Sequence, residues 1–190
     1  MLRGKLATVF RAVTFLLAWL LPAILLPLRV AQAEEMTAKD LAVATRSLAF
    51  LSQRATSELR TVIIYAPDQD ASRREAETIA SLLSGGLSVG RVRLFSSAPL
   101  LVPANNLSAL ENKDVAFVTG SLGAWHASIA EASARRHIVT ISNDLACVTS
   151  GYCVMGVRSE PRVQVIINRK LADRSSIDFA PGFRLLVTEL

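Results

Sequence analysis

The side chains in this chain able to do more than pack are few: two cysteines, two histidines and some polar residues at the ends of apolar runs. Cys147 and Cys153 are separated by five residues, Val148-Thr-Ser-Gly-Tyr152, and the glycine can reverse the chain. Such a reversal lets two Cα atoms approach to the roughly 5.5–6 Å that a disulfide wants. A disulfide is the expected state, serving as a structural staple or as a redox switch. By the chain-entropy model so short a loop stabilises by at most about 2–3 kcal/mol. A zinc site would need a second Cys/His pair, and His126 and His137 lack ligand spacing relative to either cysteine. The same two histidines, one inside a predicted helix and one at a predicted strand start, offer no Ser-His-Asp arrangement. The chain therefore reads as a non-enzyme, without cofactor or metal.

Two loops are candidates for ligand binding. Thr119-Gly-Ser-Leu-Gly123 joins a predicted strand to a predicted helix, where free backbone N–H groups and the helix dipole can hold a carboxylate or phosphate. Ser142-Asn-Asp144 ends the next strand and can face the same crevice, at the carboxyl edge where open α/β sheets bind ligands. Gly120, Ser121 and Asp144 are the candidate ligand-binding residues. Each also has a plainer role, Ser121 as a helix N-cap and Asp144 as a turn former. Gly85-Gly86-x-x-x-Gly90 follows a helix instead of opening one and lacks the Lys-Ser/Thr of a phosphate loop, so it reads as a helix stop.

The elements that must position these groups alternate. Met36 to Ala55 has helical spacing at Leu41, Ala44, Leu48 and Leu51, with Thr37 as N-cap. Thr61–Tyr65 is a β-branched run, and Ser72-x-x-Glu75 is a capping-box pattern opening a helix through Leu83. Arg91–Phe95, Asp114–Thr119 and His137–Ser142 read as strands, Ser121–Arg136 as a helix, and 96–106 as an extended connection. Cys153–Arg158 and Arg162–Asn168 flank Ser159-Glu-Pro161 and read as a β-hairpin, followed by short helices over Asn168–Ser175 and Pro181–Glu189. The order predicts one α/β domain: a mixed, mainly parallel sheet, helices on both faces and a C-terminal β-hairpin.

The N-terminus sets the compartment. Arg3, Lys5 and Arg11 precede an almost wholly apolar run from Ala12 to Leu28, and Ala31-Gln-Ala33 supplies a small-x-small cleavage pattern. The expectation is a signal peptide over 1–33 and a periplasmic domain over 34–190. The full chain has 21 basic and 16 acidic residues; taking away the leader's four basic side chains leaves 17 against 16. A nearly neutral domain has no basic footprint for a phosphate backbone, so nucleic acid is not an expected partner.

The C-terminal third carries a resemblance. Ile141-Ser-Asn-Asp144, the Cys147/Cys153 pair, Val163-Gln-Val-Ile-Ile-Asn168 and Phe183-Arg-Leu-Leu186 stand in an order that resembles the YfiR family of periplasmic proteins. The resemblance covers about the last 50 residues and otherwise rests on the order of elements. It implies a small α/β domain without enzymatic activity that restrains a membrane-bound diguanylate cyclase by binding its periplasmic part, with disulfide state affecting the restraint. By position, Cys147 and Cys153 correspond to a family disulfide.

Two functions are thus expected. The first is a periplasmic regulator that binds an inner-membrane signalling protein, a diguanylate cyclase, in cyclic-di-GMP signalling. The alternative is a small-solute-binding domain resembling one lobe of a solute-binding protein, which needs a partner or a homodimer to complete a cleft.

Overall fold

The computed structural model describes residues 35–52, 58–95 and 101–190; the expected signal peptide lies outside them. Ala33–Leu190 forms one compact unit. It opens with α1 (Ala38–Leu48), whose Thr37 cap is completed as a capping box: Thr37 Oγ1 accepts from Asp40 N–H at 3.1 Å, and the Asp40 carboxylate accepts from Thr37 N–H at 2.9 Å. The helix is shorter than its apolar spacing predicts. Leu51 leaves the helix to bridge Phe179, and the last residues of the predicted helix, 53–55, lie outside the described residues.

The chain then runs through β1 (Glu58–Tyr65), α2 (Asp70–Leu83), β2 (Leu87–Val89), β3 (Val92–Phe95), β4 (Leu101–Pro103) and β5 (Val115–Val118). A 3₁₀ turn at Gly123–Trp125 leads into α3 (His126–Ala134), followed by β6 (Val139–Ser142), α4 (Leu145–Thr149), β7 (Met155–Arg158) and β8 (Gln164–Ile167). It closes with α5 (Arg169–Arg174), α6 (Pro181–Arg184) and β9 (Thr188–Glu189). Among the described residues nine strands form one sheet in the order β2-β3-β1-β5-β6-β7-β8-β9, with β4 also pairing β1. The pairs β3/β1, β1/β5, β5/β6 and β6/β7 are parallel, and β7/β8 is the antiparallel C-terminal hairpin. The fold is the mixed, mainly parallel α/β domain that the alternation predicts.

Strand geometry sends alternate side chains to opposite faces, and both faces are covered. Leu59, Ile63, Phe117 and Ile141 pack under α1 and α2 together with Leu41, Ile79 and Leu83. Val62, Ile64, Ala116 and Val118 pack on the other face with Ile129 of α3 and with Val148 and the cysteines of the α4 region.

Three further elements differ from expectation. Residues 85–95 form an antiparallel hairpin, β2/β3, turning at Gly90 with φ +60°, so the predicted strand has a partner that its three residues were too short to announce. The helix predicted over 121–136 begins only at His126, because Ser121 sits at φ +62°, a left-handed conformation that no helix continues. The final segment is helical only over Pro181–Arg184 and then pairs with β8 as β9, so the helix predicted to Glu189 is corrected to a short helix and an edge strand. Leu190 N–H extends that edge by donating to Ile167 C=O, and Leu186 N–H closes the turn after α6 on Phe183 C=O.

Candidate functional site

From β1 the chain moves through α2 to β2 and β3 on one side, whereas β5 lies on the other. The carboxyl ends of β1 and β5 therefore flank a topological switch point, the place where open α/β sheets bind ligands. The groups gathered there come from α2 and from the turn after β5.

Ser72, Glu75, Ala76, Ile79 and Leu83 are the buried residues of α2 and form its inner stripe. The expected capping box is thereby corrected: the helix starts at Asp70 after Gln69, which makes no side-chain cap, and both polar residues of the motif point inward. Ser72 Oγ accepts from Ala66 N–H at 2.8 Å and shares a 2.6 Å hydrogen bond with Thr119 Oγ1, which donates to Ile64 C=O at 3.1 Å. One oxygen of Glu75 accepts from Gly120 N–H at 2.8 Å, and the other accepts from Met36 N–H at 3.3 Å. Glu75 is 3% exposed. Burial pushes its pKa up to about 7, against the lowering effect of the Gly120 and Met36 hydrogen bonds, with the charges of Glu35 and Asp144 adding to the rise.

The candidate residues thus have definite places. Gly120 offers its N–H to a carboxylate, as its position at the strand end suggested, but that carboxylate belongs to Glu75. Ser121 is exposed at the turn and does not cap α3. Asp144 caps α4, accepting from Ala146 N–H at 3.0 Å, and its charge reaches both Glu75 and His126. Burial holds the His126 pKa below its ordinary value, opposed by Asp144. The structure brings Gly120 and Asp144 toward one centre, Glu75, which motif reading placed at a helix start. Ser72 and Glu75 continue the stripe of Ala76, Ile79 and Leu83, a spacing that a capping box satisfies equally well.

Cys147 and Cys153 form a disulfide with Cα atoms 5.2 Å apart, both cysteines buried. A closed disulfide is compatible with an oxidising compartment outside the cytoplasm. No helix among the described residues is long and apolar enough to cross a membrane.

No known protein family and no curated protein matches the sequence. Solved structures share the fold. A conserved domain protein from Vibrio cholerae superposes with TM-score 0.56 at 10% identity, over 80% of this chain and 59% of that one. The ABC domain from Streptococcus pneumonia in complex with L-Trp gives 0.53 at 9% identity, over 79% and 60%. A substrate-binding protein with adhesive properties from Clostridium difficile, in its ligand-free, open structure, gives 0.50 at 10% identity, over 70% and 54%. At these identities the likeness shows the fold alone, and the chain spans less than two thirds of each of these structures.

Proposed function

We propose that this protein is a non-catalytic periplasmic regulator that binds and restrains an inner-membrane signalling protein, which the resemblance of its C-terminal third makes a diguanylate cyclase. The observation that favours a protein partner over a solute is Glu75. In a solute-binding lobe the backbone N–H groups at the switch point are left for the ligand; here Gly120 N–H is consumed by the protein's own buried carboxylate, and the Ser72 and Thr119 hydroxyls satisfy each other. The molecule instead presents apolar surface at the far end of the sheet. Leu185 and Leu186 are 87% and 80% exposed and lead into the edge strand β9, an arrangement suited to a protein surface.

The test is cyclic-di-GMP in cells lacking the protein and complemented with wild type or with Leu185→Glu/Leu186→Glu. The reading expects wild type to lower the nucleotide and the double variant, folded because both side chains are exposed, to fail. Equal lowering by both, or no change with either, contradicts it.

The solute-binding alternative draws on a different observation, the fold shared with a substrate-binding protein and with an ABC domain described in complex with L-Trp. It expects a solute, with tryptophan in the panel, to raise the melting temperature without a partner, the second wall coming from a second copy.

A further inference from the structure

We propose that the cleft between α3, the Cys147–Cys153 loop and α5 binds a small organic anion with an apolar or aromatic body. This site is separate from the Glu75 centre and does not depend on the regulatory reading. Its volume is about 630 Å³, within the roughly 300–1,000 Å³ usual for small-molecule sites.

Its walls differ in chemistry. Ala127 and Ala130 of α3 and the Tyr152 ring offer apolar surface, and Lys170 and Arg174 stand four residues apart on α5, one turn above the other. Among the described residues neither cation has an acidic partner. The neighbouring Arg169 pairs instead with Asp173 and Glu189, and the acid on the opposite wall, Glu131, is taken by Arg135. The cleft thus holds two uncompensated positive charges beside an aromatic ring, which suits a carboxylate or phosphate monoester head on an apolar body.

The loop wall is built to hold its shape. The disulfide closes it; Gly151 turns it at φ +79°; and Tyr152 and Cys153 both donate their N–H groups to Cys147 C=O, at 2.8 and 3.0 Å. Asn168, buried beneath, donates through Nδ2 to Val148 C=O at 3.0 Å and accepts at Oδ1 from Leu171 N–H at 2.9 Å, tying the loop to the start of α5. Tyr152 is further fixed by stacking on His126, with ring centroids 5.5 Å apart. The covalent link therefore positions one wall of the cleft against the other, and rigid walls lower the entropy lost on binding.

The test is an NMR titration of the purified protein with benzoate, phenyl phosphate and inorganic phosphate at constant ionic strength, following the amides of Gly151, Tyr152 and Leu171. We expect saturable shifts at these amides with the two aromatic probes, at least tenfold weaker binding of inorganic phosphate, and at least tenfold weaker binding of the aromatic probes to Lys170→Ala/Arg174→Ala. The variant replaces exposed side chains only, and an unchanged melting temperature verifies its fold. The proposal is overturned by absence of saturable shifts with every probe, by equal affinity in the double variant, or by inorganic phosphate binding as tightly as the aromatic probes. Shifts confined to Gly120 and Ser121 would also overturn it, by placing the ligand at the Glu75 centre.

Discussion

Glu75 is the side chain whose environment departs most from what water would give it. It ties three segments together, the stretch before α1 through Met36, α2 itself, and the turn after β5 through Gly120. Its carboxyl is raised from 4.5 to about 7 by burial, with Glu35 and Asp144 as the acidic groups facing it. A raised folded pKa means that the folded state holds the proton more tightly than the unfolded chain. The contribution to stability is therefore fully present below the unfolded value and is lost as pH rises through about 7. The difference corresponds to roughly 3 kcal/mol at order of magnitude. Urea unfolding should give a lower stability at pH 8 than at pH 5, and Glu75→Gln should flatten that slope; parallel pH profiles for the two proteins would show that Glu75 is not the source. Asp40 behaves oppositely. Although burial raises its pKa, hydrogen bonds from Ser159 and Thr37 outweigh burial and hold it below the ordinary carboxylate value, so its contribution is present above the unfolded pKa and lost as pH falls. Thr37→Ala removes the cap hydroxyl of that group and should cost about 1 kcal/mol in denaturant unfolding.

At the scale of elements, α4 and β7 show how closely the disulfide region is fitted. A Cβ on Gly156 would stand 2.8 Å from Val148 Cγ2 and 3.0 Å from Leu145 Cδ2, so the strand needs glycine there for α4 to lie against it. Gly156→Ala should destabilise by about 1–3 kcal/mol, the usual cost of overpacking a core, and a thermal midpoint equal to wild type would contradict this packing. Cys147→Ser/Cys153→Ser should lose at most about 2–3 kcal/mol, with its largest amide shifts confined to 147–153 and to Asn168, which bonds the loop. Whereas β2, β4, α4 and β9 are too short to announce themselves, the main alternation of strands and helices, the hairpin β7/β8 and the disulfide were legible because β-branched runs, proline placement and cysteine spacing each carry a local physical cause. The polar centre was not. Ser72-x-x-Glu75 satisfies a capping box and an inward stripe equally well, and only the start of α2 at Asp70 decides between them. Residues 185–189 read as a continuation of the Pro181 helix because the pattern of Phe183, Leu185 and Leu186 does not reveal that Thr188 and Glu189 find an edge of β8 to pair with.

Taken as a whole, the described domain is one α/β layer system with both sheet faces covered, Glu75 buried at its switch point on Gly120 N–H, and Leu185, Leu186 and Leu190 left outside. On the proposed reading, a lobe whose Gly120 N–H is taken by its own Glu75 carboxylate serves to hold another protein. The direct measurement is site-specific photo-cross-linking in intact cells, with the reactive residue placed at Leu186 and, as a control, at Ser121. The account predicts that the Leu186 position captures an inner-membrane protein bearing a diguanylate cyclase domain while the Ser121 position does not. Capture of that protein at Ser121 alone, or of no membrane protein at either position, would contradict it.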